Sequence, residues 1–267
     1  MRSIHLRRAS ALAALLLGVA LVLGGCSQIP SVVGEALGEL VGRDYPAEVL
    51  DALAIADDAV TDVNEGVPSF SEDDLAYARD HLGYESYSML DLLGRCGVAM
   101  ACVGPETMPG PDEERESIGD IHPSGWHSVS YDIVENGSLY NRSHLIGWLL
   151  SGENANERNL ITGTRFMNAD LMLPFEEEVA RYIDDTGNHV LYRVTPIFEG
   201  TELVARAVEM EAVSLEDDGA GVSLNVVCRN IQPGIGIDYA TGDSWEEDEG
   251  ASQEGASVWE EMLPALQ

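Results

Sequence analysis

The sequence predicts an α+β fold in which a central antiparallel sheet is flanked by helices. Residues 126–184 read in the order strand, loop, strand, helix, with an Asn136-Gly137 turn signal between alternating runs. Three further runs, 189–198, 203–215 and 222–239, are β-rich and alternate as strands of an antiparallel sheet with one buried face do. Helical patterns over 46–60, 71–81 and 167–184 supply the flanking layer.

Taken in chain order, residues 1–25 carry Arg2, Arg7 and Arg8 and then an apolar run from Ala9 to Leu23, the layout of a secretory signal. Leu23-Gly24-Gly25-Cys26 looks like a bacterial lipobox. Cys26 is therefore the candidate lipidation site, and the expected product is exported and tethered at a membrane surface by acyl chains. No second segment of about 20 apolar residues follows, so no other membrane span is expected. Residues 26–48 read as a tether, 49–240 as one domain with a sizeable core, and 241–267 as an acidic disordered tail.

Ser71, followed by Glu72, Asp73 and Asp74, marks a helix start. Pro105, Pro109, Gly110 and Pro111 make 103–120 a surface loop. The alternation from Trp126 to Leu139 predicts two strands meeting at Asn136-Gly137 and delivering Tyr140 to His144. A polar loop over 151–158 leads to a short strand at Asn159-Leu-Ile-Thr, and the helix over 167–184 ends before Gly187. Beyond Cys26 the cysteines are Cys96, Cys102 and Cys228. Cys96 and Cys102 are close enough in sequence to form a disulfide, which leaves the third thiol free or paired elsewhere. No Cys-x-x-Cys pair or histidine cluster supports a zinc site.

The chain has no lysine, 14 arginines and 47 acids, for a net charge of −33. Such a surface repels polyanions and counts against a nucleic-acid binder built on a basic patch. Salt near 0.15 M screens charges beyond about 8 Å, so distant acids are tolerated when arginines line the groove itself. Seven of the arginines lie between Arg142 and Arg229, whereas 243–267 holds acids and no base.

That arginine-bearing stretch also carries the candidate chemistry: Asn141-Arg142-Ser143-His144, then Asn159-Leu-Ile-Thr-Gly-Thr-Arg165-Phe-Met-Asn168. A neutral imidazole with a pKa near 6.5 can take a proton from water at physiological pH. Mg²⁺ prefers oxygen ligands and keeps several waters, so one amide oxygen with substrate oxygens suffices to hold it. Arginine supplies planar, permanently charged donors to phosphate. Taken singly, each has a structural reading: a satisfied core histidine, arginines paired with surface acids, an asparagine capping a helix.

The combination resembles the DNA/RNA non-specific endonucleases of the ββα-metal class, closest to the bacterial DNA-entry nuclease branch. The resemblance spans about residues 85–240. It rests on Asn141 to His144 at the family's Asp-Arg-Gly-His and on the nine-residue interval between Asn159 and Asn168. It implies a ββα-metal core and a hydrolase that cleaves phosphodiester bonds of DNA, and of RNA in some members, leaving 5′-phosphate ends. It implies His144 as general base, Asn168 as ligand of hydrated Mg²⁺ (or Mn²⁺), and Asn159 as the residue that holds the histidine loop. Arg142 or Arg165 then faces the phosphate, and Glu176, two helical turns past Asn168, faces a water of the ion's shell. Contact is with phosphates, without base readout.

Three positions depart from the family pattern: Asn141 stands for aspartate, Ser143 for glycine and Gly163 for glutamine. They leave a second reading open, a degenerate lipoprotein that uses the same fold to bind DNA or a protein partner. An acidic cation-binding surface protein is a third, supported only by the acid count.

Overall fold

The computed structural model describes residues 42–54 and 58–247. The expected signal at 1–25, Cys26, and most of the expected tether and tail lie outside the described residues. In chain order come helix α1 (Ala47–Ala54), strand β1 (Val60–Asp62), helix α2 (Glu72–Asp80), and strands β2 (Glu85–Tyr87) and β3 (Ala99–Val103). Strand β4 (Tyr140–His144), the single turn α3 (Trp148–Ser151) and strand β5 (Leu160–Thr164) follow. A π-helical turn (Met167–Met172) runs into helix α4 (Leu173–Thr186). The chain then adds β6 (Val190–Ile197), β7 (Ala207–Ser214), β8 (Ser223–Arg229), β9 (Ile235–Ile237) and β10 (Ser244–Glu246).

Six strands form one antiparallel sheet in the order β1-β8-β7-β6-β3-β2. Its spine is β6 against β7, paired from Val190↔Ser214 to Ile197↔Ala207, where β-branched and aliphatic residues suit a pleated ladder. Ala101, Tyr192, Val194, Met210, Ala212 and Val226 pack on one face with Val179 and Ile183 of α4. On the opposite face α1 covers Ile197, Ala207 and Val227, and Ala78 of α2 packs against Cys102, Leu191 and Leu215. The sheet is thus buried on both faces, not on one as the alternation predicts. The reason is visible in β7, where seven of eight residues are buried, Glu209 and Glu211 among them.

α2 begins where expected. Ser71 Oγ accepts the Asp74 N–H at 3.1 Å, and the Asp74 carboxylate accepts the Ser71 N–H at 3.0 Å, a reciprocal cap. α4 ends at Gly187, whose φ of 71° places it in the left-handed region.

Four further expectations are corrected. The helix expected over 46–60 forms over Ala47–Ala54 but does not extend to Val60, which begins a strand and pairs with Cys228. The strands expected over 126–139 do not form: Asn136 (φ 62°) and Gly137 (φ 82°) make the tight turn, but a lone Ser130↔Ser138 bridge is the ladder around it. Instead the segment is tied to a distant loop and strand, with His127 Nε2 3.1 Å from Thr241 O and Tyr131 OH 2.8 Å from Ser244 Oγ, and its flanks likewise bond Ser124 Oγ to Leu203 O at 2.6 Å and Tyr140 OH to Gly242 O at 3.0 Å. Cys96 and Cys102 are free thiols, because Cys96 packs in the core shared with α4 while Cys102 points to the face covered by α2. Burial pushes them up to about 12 and about 11, so both stay protonated and unreactive at neutral pH. Order also continues past 241: Ser244–Glu246 pairs with Ile235–Ile237, with the Trp245 indole laid over Gly236.

The strands β4 and β5 form a separate two-stranded antiparallel unit, His144↔Leu160 to Tyr140↔Thr164. It joins the six-stranded sheet through Asn230, whose fully buried amide accepts from Thr164 N at 2.8 Å. The same amide donates to Thr162 O and Ala205 O, each at 2.9 Å. The π turn and α4 follow directly, giving the strand, strand, helix order expected.

Candidate active site

The β4–β5 unit and the start of α4 wall a cavity of about 610 Å³ that brings His144, Asn168, Glu176, Arg142 and Arg165 to one place. His144 ends β4 and is 9% exposed. Its Nε2 lies 2.9 Å from the Asn154 carbonyl oxygen. A carbonyl only accepts, so Nε2 carries the proton and Nδ1 keeps the basic lone pair. Burial holds the imidazole below its ordinary pKa, and the bond to Asn154 opposes that shift while nearby Arg115 adds to it. The ring is thereby neutral and oriented.

Asn159 is fully buried and lies behind the histidine, outside the cavity lining. Its Oδ1 accepts the Ile146 N–H at 2.9 Å, its Nδ2 donates to Ile146 O at 3.0 Å, and its own carbonyl takes the Leu145 N–H at 2.8 Å. The two residues after His144 are therefore held by Asn159, Ile146 by its side-chain amide and Leu145 by its backbone carbonyl. Asn159→Ala is expected to cost about 1–3 kcal/mol for each Ile146 group left unsatisfied, read as a fall in the urea midpoint. An unchanged midpoint would show that water replaces the amide.

Asn168 lies on the π turn, a local widening of the helix often found at functional sites. Its Oδ1 accepts from Ser143 Oγ at 2.5 Å. Glu176 follows on α4, is 7% exposed, and comes close to the chain because residue 147 is glycine: a Cβ there would stand 2.5 Å from Glu176 Oε2. Burial pushes the Glu176 carboxyl up to about 8, opposed by the charge of Arg115 and a hydrogen bond from the Gly147 backbone. The row Glu176, Glu177, Glu178 is thus no uniform solvated face, since only its first member is buried.

The arginines divide. Arg142 Nε donates to Ile121 O at 2.5 Å, its NH2 to Gly119 O at 2.6 Å, and its guanidinium stacks over Trp126 at 4.0 Å. It is chiefly a clamp on the 119–126 loop at the cavity edge. Arg165 is bound to the exposed Glu135 at 2.7 Å and keeps a side on the cavity. Arg115, which sequence reasoning missed, lines the cavity, stacks over Trp148 at 4.9 Å and acts electrostatically on both His144 and Glu176. One signal pointed to it: it is the lone base in Asp112-Glu113-Glu114-Arg115-Glu116.

The arrangement offers a neutral imidazole, an amide oxygen, a buried carboxyl and three guanidinium groups around one space. A family model described as DNA/RNA non-specific endonuclease matches residues 76–215, which contain every one of those groups. The chain belongs to that family. This endonuclease is therefore a hydrolase, and nucleic acid is its substrate class. Its fold is that of NucA from Streptococcus agalactiae. The magnesium-bound NucA structure is 22% identical with TM-score 0.61, covering 82% of this chain and 98% of that one. The NucA structure without metal is 24% identical with TM-score 0.58, covering 71% and 87%. The structure of Sda1 nuclease with bound zinc ion is 26% identical with TM-score 0.60, covering 71% of the endonuclease and 97% of Sda1.

Proposed function

We propose that this endonuclease hydrolyses phosphodiester bonds of DNA, and of RNA, with His144 as general base and a hydrated Mg²⁺ held through Asn168. The observation that carries this reading is the convergence of His144, Asn168 and Glu176 on one cavity within the matched segment. The donor set fits a hard, hydrated cation. Asn168 and Glu176 offer oxygen, and no group of three or more His, Cys, Asp and Glu able to form a dry cage is present among the described residues. A buried carboxyl pushed up to about 8 beside a cavity is also one that a cation would relieve. When bound, the divalent ion neutralises phosphate charge and stabilises the departing 3′ oxygen.

The residues of the chain do the rest. His144 Nδ1 accepts a proton from water as its oxygen attacks phosphorus, and the bond from phosphorus to the 3′ oxygen breaks, leaving a 5′-phosphate end. The clamp of Asn159 and the bond to Asn154 keep the imidazole aimed. Arg115 and Arg165 place fixed positive charge beside the non-bridging oxygens, which an otherwise acidic protein needs in order to retain a polyanion. Contacts of this kind address phosphates and not base edges, so the enzyme acts without sequence preference.

Mn²⁺ fits the same oxygen donors. The basic and apolar layout of 1–25 and the Leu23-Gly24-Gly25-Cys26 sequence support export and lipid attachment at Cys26, with the domain held outside the membrane. Among the described residues no helix is long and apolar enough to cross a membrane. The test is nicking of supercoiled plasmid by the purified protein in Mg²⁺. Cleavage that EDTA abolishes and added Mg²⁺ restores is expected. Cleavage indifferent to chelator, or none across several divalent ions, would overturn the reading in favour of a binding protein.

A further inference from the structure

Ser143 and Gly163 sit diagonally across β4 and β5, since Asn141 faces Gly163 and Ser143 faces Ile161 in the register. Ser143 is fully buried, and a buried hydroxyl needs a partner. It finds Asn168 Oδ1 at 2.5 Å. The hydroxyl can reach Asn168 because residue 163 carries no side chain. A Cβ at Gly163 would stand 2.6 Å from Ser143 Oγ, 2.7 Å from Ser143 Cβ and 2.8 Å from Met167 Cε. The serine thus occupies the space that a side chain at 163 would fill, and the two residues form one packing unit. Neither is compatible with a larger partner.

We propose that Ser143 is a positioning residue that sets the rotation of the Asn168 amide, so that one lone pair of Oδ1 is engaged by the hydroxyl and the other is left for a cation. An amide rotates about its last side-chain bond in a broad well, so an isolated asparagine presents oxygen and nitrogen alternately. The Ser143 hydroxyl donates to Oδ1 and breaks that degeneracy before any cation arrives. The inference rests on the reading of Asn168 as the metal-holding side chain. It adds that Ser143 and Gly163, which both depart from the family motif, act together on that side chain.

The experiment is a Mn²⁺ titration of the full-length protein without nucleic acid, followed by paramagnetic broadening of the His144 ring resonances. That readout separates this site from diffuse binding to the acidic surface. Wild type is compared with Ser143→Ala, with Asn168→Ala and with the double variant Ser143→Gly/Gly163→Ala, and melting temperatures are recorded beside the isotherms. A neutral hydrogen bond of ordinary net strength corresponds to about 2- to 10-fold in an equilibrium constant. Ser143→Ala is expected to bind Mn²⁺ weaker by about that factor. The double variant is expected to recover the stability of the packing unit without recovering Mn²⁺ affinity, whereas a purely structural serine would have both recovered. If Ser143→Ala does not fold, the double variant decides alone.

Wild-type affinity in Ser143→Ala, or in the double variant, would overturn the assignment of Ser143. Wild-type affinity in Asn168→Ala, or no Mn²⁺-dependent broadening in wild type, would instead overturn the reading of Asn168 on which it rests.

Discussion

Alanine in place of His144 is expected to lower kcat/KM for plasmid nicking by about 10²- to 10⁴-fold, the usual contribution of a positioned base. The loss should appear with the fold intact, checked by circular dichroism, because the ring is held at one point, Nε2 to the Asn154 carbonyl, and lines a cavity instead of filling the core. The wild-type pH profile carries an independent sign. Burial lowers the His144 pKa from its ordinary 6.5, and in the proposed role as base the neutral ring is the active form. At saturating Mg²⁺ the acid limb of kcat/KM should therefore lie below pH 6.5, with the rate level above it. The same shift means that the unfolded chain takes up the proton first, so the folded state loses the contribution of this group as pH falls through that range. An acid limb above pH 7 would exclude His144 as the base.

Glutamine at position 176 should move two measurements in opposite directions. The Glu176 carboxyl is raised by burial from an ordinary 4.5 to about 8, so between those values the unfolded chain releases a proton that the folded, metal-free protein retains. Stability attributable to this group is thus present below pH 4.5 and lost as pH rises toward 8. Glu176→Gln removes that loss, and the metal-free variant should melt higher than wild type at pH 8 and match it near pH 4.5. Each kcal/mol relieved is worth roughly 2–4 °C in a protein of this size. Activity should fall by about 10- to 100-fold, the range for a side chain that supports a metal from beyond its direct ligands. Wild-type metal affinity should rise with pH up to about 8, since the ion favours the ionised carboxyl. A variant that is both less stable at pH 8 and fully active would contradict the role given to Glu176.

The candidate site was legible in the sequence where its residues are close in the chain. His144, Asn159, Asn168 and Glu176 lie on consecutive elements, and two strands followed by a helix leave few ways to arrange them. Arg115 and the tryptophans Trp126 and Trp148 were not legible as site residues, because loops and the single turn α3 put them there through tertiary contacts that no local pattern encodes. The fold shows the same divide. β6 to β8 and α2 follow from alternation and a capping box, whereas 126–139 carries a true turn at Asn136-Gly137 whose flanks bond to remote partners. The pairing of Cys96 with Cys102 looked plausible by distance along the chain. It failed because β3 alternates its side chains between two faces, and the stretch from Cys96 into that strand places the two thiols in different cores.

The Asn230 amide has one further consequence. Strands β4 and β5 share no backbone ladder with the large sheet, and the Asn230 side chain spans the gap with three bonds inside the protein, beside a bond from Thr164 Oγ1 to Ile231 O at 2.6 Å. Pulling the strands away would break the two Asn230 bonds that reach β5, to Thr164 N and Thr162 O, and leave buried polar groups unpaired. The β4–β5 unit and the six-stranded sheet are thus expected to open together, so the aim of the His144 imidazole is tied to the integrity of the large sheet.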